Sequence, residues 1–287
     1  MAAPSVPYVP RTLQALRDVF RRPLDELEDF GRQLSFYGRS IGWSWKTILR
    51  YKKEVIRLLA EVSLGSGALV VIAGTVGIIF FLAFFTGTEV GLEGFKGLQL
   101  IGVEALTGFI SAYGNTREIT PLIAGLALAA QVGCGFTAQL GAMRISEEVD
   151  ALEVMGVPSL PYLVTTRMIA AFIAVIPLYL VALFSSFLAT RSIVIYLFHQ
   201  SGGTYDHYFH LFLVPQDIAY SLLKVLVFAI IITLIHCYYG YYATGGPEGV
   251  GVAVGRAIRL SIVMINVVDF FMSLALWGAN QTVRIAG

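Results

Sequence analysis

The chain is short of charge. Only 14% of its 287 residues are charged, against about a quarter in an ordinary soluble domain. What charge there is crowds one end, with 11 of the 20 Lys and Arg residues and seven of the 19 acids lying before position 63. That excludes a soluble globular fold, and a net charge of +1 gives no reason to expect nucleic acid as a partner. Cysteine is scarce too. Cys134 and Cys237 sit in apolar stretches without a CxxC spacing and read as small buried hydrophobes. No GxxxxGK(S/T) string occurs, so no P-loop lysine is available to reach a nucleotide phosphate. The glycine-rich run 245–255 also fails the GxGxxG test, because Val254 stands where the third glycine belongs. No Ser/His/Asp set or HExxH string points to catalysis, and no cleavable signal peptide is visible, the first apolar run starting only near Leu64.

What is present is long apolar runs. About 20 residues of helix cross a bilayer, and five stretches qualify: about 64–85, 119–143, 168–190, 222–242 and 260–283. The third contains Pro177, expected to kink it, and the fifth is interrupted by Asp269. Gly97 to Tyr113 is apolar but short and carries Glu104; it reads as an extracytoplasmic helix leading into the second span. Met1 to Pro23 shows no apolar period and reads as loose. From Leu24 the residues Leu27, Phe30, Leu34, Tyr37, Ile41, Trp45 and Ile48 recur at helical spacing, with Arg32, Arg39, Lys46 and Arg50 off that stripe. Such a basic amphipathic helix suits a membrane interface or packing on the protein's own cytoplasmic side.

Five spans put the termini on opposite sides. With the amino terminus in the cytoplasm and the carboxyl terminus outside, the segments 1–63, 144–167 and 243–259 hold 15 of the 20 basic residues, and the outer segment His199 to Pro215 holds none. The positive-inside bias favours that orientation in a multi-pass protein of the plasma (inner) membrane.

The second span repeats small residues every four positions: Gly125, Ala129, Gly133, Thr137 and Gly141. In lipid such a face marks close helix packing, within the chain or between subunits. Gln131 and Gln139 lie off it and need polar partners. Then comes Met143-Arg144-Ile145-Ser146-Glu147-Glu148-Val149-Asp150-Ala151-Leu152-Glu153-Val154-Met155-Gly156-Val157-Pro158. Ile145, Val149 and Leu152 share one helical face, Ser146, Glu147, Asp150 and Glu153 another, and Gly156 and Pro158 end the helix. A plain connector needs no apolar stripe, and four acids run against the cytoplasmic charge bias. A docking element for a cytoplasmic partner fits this pattern.

The run Gln139 to Val157, with Tyr162-Leu163-Val164 and Thr166-Arg167 after it, resembles the signature of the MlaE/YrbE permease family. Further matches stand at Arg117-Glu118-Ile119-Thr120-Pro121 and Tyr239-Gly240-Tyr241. The stretches Gly245 to Gly251 and Tyr205 to Phe209 look like actinobacterial members of the Mce systems, of the YrbE B-like type. The resemblance implies an all-α integral membrane protein. It would comprise five transmembrane helices, an N-terminal interfacial amphipathic helix within a cytoplasmic segment 1–62, and a short cytoplasmic coupling helix within a permease domain 63–287. It implies the membrane subunit of an ABC transporter that moves lipid, with ATP and Mg bound by a partner ATPase dimer and no cofactor in this chain. A second homologous permease completing a heterodimer and extracytoplasmic Mce-domain proteins forming a lipid conduit are the other implied partners. The coupling helix maps to about Arg144 to Met155, with Glu147, Glu148 and Asp150 as contacts and Glu153 beside them. Gly246 and Glu248 form either a second ATPase contact or a flexible turn. The chain departs from the family at Glu118-Ile119-Thr120-Pro121, where Glu-Leu-Gly-Pro is commoner, and at Gln131.

Gln131, Gln139, Glu104, Glu118 and Asp269 are the candidate lipid path. Asp269 in mid-span reads as an ion site or as a hydrogen-bonding group between helices, and the sequence offers it no buried ionic partner. His199, Asp206, His207 and His210 have spacings a metal would accept, but the interleaved Tyr205, Tyr208, Phe209 and Phe212 favour interfacial anchoring and no metal. An ion-gradient-driven transporter working through Asp269 and a membrane scaffold for envelope proteins are the competing readings. The lipid is open among fatty acids, mycolic-type lipids, phospholipids and sterols, and the actinobacterial likeness leans towards import.

Overall fold

A computed structural model of the chain describes residues 11–64 and 74–278, with side chains from Leu27. Residues 1–10, part of the first apolar run (65–73) and the end of the last (279–283) lie outside them. The described residues are helical, without strands, and include five helices long and apolar enough to span a bilayer.

Helix α1 (Arg11–Gly42) forms a compact unit by itself. It starts at Arg11 rather than Leu24, running through Pro23 at the loss of one backbone hydrogen bond. Leu27, Phe30, Leu34 and Ile41 are exposed along it.

The second unit begins at Trp43. Two short helices, α2 (Ser44–Arg50) and α3 (Lys52–Leu64), precede the spans. The buried Val55, Leu58 and Val62 of α3 make it part of the membrane unit. The five long helices are α4 (Thr75–Gln99), α5 (Glu104–Ile145), α7 (Leu160–Tyr196), α9 (Pro215–Tyr241) and α10 (Gly246–Trp277). Between them lie the acidic α6 (Glu148–Val154) and α8 (Gly202–Phe212).

Residues 97–113 do not form a helix of their own. Gln99 ends α4, a turn through Gly102 at φ 73° reverses the chain, and Glu104 already belongs to α5. Only glycine enters that left-handed turn without steric cost. Helices outlast their apolar runs because hydropathy marks the part that suits lipid, whereas backbone hydrogen bonding continues until a breaker intervenes. α5 contains wider π-helical turns at Ser111–Ile119 and Ala129–Gly133, and α7 opens on another at Leu160–Thr165 before passing through Pro177. α9 has no such interruption.

Two seams of small residues hold the bundle. On α4, Ala83, Gly87 and Gly91 face α7 at four-residue spacing, where Thr190 Oγ1 donates to Gly87 O at 2.7 Å and Ser185 Oγ to Phe80 O at 2.8 Å. On α5, a Cβ at Gly125 would lie 3.0 Å from Phe228, at Gly133 2.7 Å from His236 Nε2, and at Gly141 2.9 Å from Val250. This face packs against α9 and α10 of the same chain. Thr137 Oγ1 closes it with His236 Nδ1 at 2.8 Å, while Ala129 is buried in the same seam.

Candidate functional site

At one end of the bundle, α5 gives way to α6 through Glu147, whose φ of 61° turns the chain sharply. Val149 is fully buried and seats α6 on the bundle. Glu147, Glu148, Asp150 and Glu153 are exposed, and so are Val154 at 88% and Met155 at 69%. Arg144 bridges Asp150 at 2.6 Å, and Ser146 Oγ donates to Glu148 at 3.0 Å. Glu153 accepts from Ser159 Oγ at 2.5 Å, and Ser159 meets Tyr241 Oη at 2.7 Å. The acids in the first turn suit the positive end of the helix dipole. Ile145, expected on the apolar stripe, is 40% exposed, so Val149 bears most of the anchoring. On the same side, Gly245 and Gly246 take φ of 90° and 71° ahead of Pro247, and Glu248 is exposed in the first turn of α10.

The other half of the bundle holds a network that sequence reasoning missed. Lys224 is fully buried, with Nζ 2.7 Å from Asp269, 3.2 Å from Glu118, and 2.8 Å from both Ser273 Oγ and Arg117 O. Ser273 donates in turn to Glu118 at 2.8 Å. Beside it, Arg117 pairs with Asp217 at 2.8 Å, and Trp277 Nε1 donates to the other oxygen of Asp217 at 2.8 Å. The Arg117 guanidinium lies 3.8 Å from the ring centre of Tyr113 and faces a cleft of about 210 Å³ walled by Glu118, Phe270 and Trp277.

Asp269 therefore has the buried ionic partner that the sequence withheld. Lys224 lies near the start of the apolar run 222–242. Because α9 begins at Pro215, it lies in the third turn, facing inward. The available signal was the pair Lys224 and Asp269, opposite charges in two neighbouring apolar segments, since charges inside a membrane bundle pair with one another.

The other candidates for the lipid path lie apart. Gln139 donates to Glu61 at 2.6 Å and accepts from the buried Arg167 at 3.3 Å, tying α5 to α3 and α7 well away from Glu118. Gln131 is exposed in the π-turn 129–133 beside Ala130, on a face continued by the exposed Ala138 and Ala142. Glu104 contributes its carbonyl, which accepts from Gln200 Nε2 at 3.0 Å. Only Glu118 and Asp269 are brought together.

Near the outer histidines, Arg191 donates twice to Asp206, at 2.9 Å each. That fork holds the Asp206 carboxyl below the ordinary carboxylate range. A lowered folded pKa stabilises above the unfolded value, about 3.9, and is lost as pH falls through the lower folded one. Both side chains are largely in solvent, so the bridge is worth under about 1 kcal/mol. Asp206→Asn is expected to lower the unfolding midpoint by about 1–2 °C at pH 7, and the difference is expected to shrink as pH falls below the unfolded value, about 3.9, as thermal denaturation in detergent would show. Among the described residues no three His, Cys, Asp or Glu side chains gather as a metal site.

Comparison with known proteins gives a consistent picture. Residues 65–275 match the family described as Permease MlaE. A probable ABC transporter permease protein of Rickettsia bellii is 31% identical over 196 residues, covering 68% of this chain and 76% of the relative. A counterpart in Synechocystis is 29% identical over 206 residues, 71% of this chain and 78% of its own length. The chloroplastic protein trigalactosyldiacylglycerol 1 of Arabidopsis thaliana is 31% identical over 206 residues, 69% of this chain and 57% of that protein.

Proposed function

From the premise that this chain belongs to the Permease MlaE family and is a transmembrane permease of ABC type, we propose that it couples ATP hydrolysis in a partner ATPase dimer to lipid movement across the cell envelope. The observation that carries this reading is α6, a short helix fastened to the bundle by Val149 with its acids and the tips of Val154 and Met155 turned outward. Apolar side chains exposed at the end of a short helix that a single buried valine anchors call for a partner that covers them, and the exposed carboxylates give that partner's basic groups something to meet. Gly246 and Glu248, on the same side, form the second contact. ATP and Mg belong to the partner.

In this reading the α6 side and the amino terminus are cytoplasmic, the carboxyl terminus is extracytoplasmic, and the membrane is the plasma (inner) membrane. The exposed face of α5 bearing Ala130, Gln131, Ala138 and Ala142 meets a second homologous permease, because the Gly125–Gly141 seam is already filled within the chain. The cleft beside Arg117 and Glu118 opens towards the lipid path, and Mce-domain proteins continue that path outside. The actinobacterial motifs at 205–209 and 245–251 support an Mce-type heterodimer working as an importer of lipids such as fatty acids. A plant relative named for a galactolipid is in keeping with lipid cargo.

Charge reversal of Glu147, Glu148 and Asp150 to Lys tests the assignment. The ATPase is expected to stop co-purifying, with affinity down at least about a hundredfold for loss of a charge-complementary interface, while the permease still folds. Normal assembly of the triple variant would remove α6 from the interface. Lipid movement in proteoliposomes that persists without the ATPase, and collapses with an uncoupler, would favour the ion-driven alternative.

A further inference from the structure

The Tyr239-Gly240-Tyr241 motif ends α9, and its last tyrosine has a place in the coupling machinery. Tyr241 Oη lies 2.7 Å from Ser159 Oγ and 3.5 Å from Glu153 Oε1, and Ser159 itself donates to Glu153. Ser159 is buried at the foot of α7, so three elements meet at one carboxylate: α6 through Glu153, α7 through Ser159 and α9 through Tyr241. One residue earlier, Gly240 is pressed against α5, where a Cβ would stand 2.8 Å from Thr137 O and 2.9 Å from Leu140.

α9 differs from the other helices that reach α6. α5 has π-turns at Ser111–Ile119 and Ala129–Gly133, and α7 has one at Leu160–Thr165 together with Pro177. Such features are where helices bend. Between Pro215 and Gly240, α9 has neither glycine nor proline. It runs from Tyr241 to Lys224, about 25 Å at 1.5 Å per residue, and Lys224 is the residue that joins Asp269, Glu118 and Ser273.

We infer that the Tyr241–Ser159–Glu153 junction transmits displacement of α6 into α9, and that α9 delivers it as a rigid rod to the Lys224 cluster. Tyr241 is thus a positioning residue for transport, acting through a helix rather than on lipid or nucleotide. The inference rests on the reading of α6 as the ATPase-docking helix.

The test uses the intact complex of permease and ATPase in proteoliposomes, measuring ATP hydrolysis and movement of a fluorescent lipid together. Tyr241→Phe removes one hydroxyl and keeps the ring; Ser159→Ala breaks the same junction from the α7 side. For each, lipid moved per ATP hydrolysed is expected to fall about tenfold, within the usual range of site-to-site coupling, while ATPase co-purification and basal hydrolysis stay within about twofold. An unchanged ratio of lipid to ATP in both variants would overturn the inference. So would a loss of hydrolysis and transport in equal proportion, which marks a structural or docking role. Wild-type lipid movement that needs no ATPase would overturn the underlying reading instead, and this one with it.

Discussion

Lys224→Met is expected to be among the most damaging single substitutions in the bundle. The ammonium it removes is fully buried and touches two carboxylates, a hydroxyl and a backbone carbonyl. Methionine fills similar volume, so the effect isolates charge rather than packing. Asp269 and Glu118 would be left facing each other in a low-dielectric setting. Breaking a buried ion pair from one side costs about 3–5 kcal/mol, because the remaining charge stays desolvated and unpaired. Two cations, Arg117 and Lys224, already face three carboxylates, Glu118, Asp217 and Asp269, so no spare cation can take over. The measurement is equilibrium unfolding in detergent. The double variant Lys224→Met with Asp269→Asn is expected to recover part of the loss, since it neutralises the buried one of the two carboxylates left behind, the other, Glu118, being better exposed. A single variant as stable as the parent would show that the cluster is hydrated and of little structural weight.

Gly87→Ala comes next. The added methyl carbon would lie 2.8 Å from Ser186 Cα and closer still to Ser186 O. Those are backbone atoms, so no side-chain rotation relieves the clash, and α4 must move away from α7. Separation would also stretch the bond from Thr190 Oγ1 to Gly87 O, and Thr190 is where Asn115 of α5 joins the same junction, at 3.0 Å. Overpacking of this kind costs about 1–3 kcal/mol, and a close-approach seam in lipid has only packing and such bonds to replace it. Gly97 on the same helix has nothing within 4 Å of its would-be Cβ. Gly97→Ala should be neutral or stabilise by up to about 1 kcal/mol, as alanine does in helices. Equal effects at the two positions would refute the seam.

Much was legible in the residues themselves. The five spans stand out because crossing a bilayer demands a length and an apolarity that composition displays directly. Helix α6 was legible in its period, its acids and its glycine stop, but it starts at Glu148 rather than Arg144, because Arg144 and Ile145 still belong to α5 and the chain turns at Glu147. The seam at Gly125, Gly133 and Gly141 was visible as a repeat, but its partner was not: the repeat is the same whether α9 and α10 or another subunit covers it. The equivalent face on α4, Ala83, Gly87 and Gly91, went unread because the apolar run ends at Phe85 while the helix goes on to Gln99.

Membrane residence, the number of spans, the short acidic helix and the absence of a nucleotide-binding loop are properties of single segments, so the sequence by itself determined them. The ionic network and the junction at Tyr241 were decided only by the tertiary structure. Arg117 finds Asp217 across 100 positions, Lys224 finds Glu118 across 106, and Tyr241 finds Ser159 across 82. No local pattern encodes such pairings, because they depend on which helices become neighbours and at what height. Lys224 shows its inward place only once the helix is seen to start two turns earlier, at Pro215.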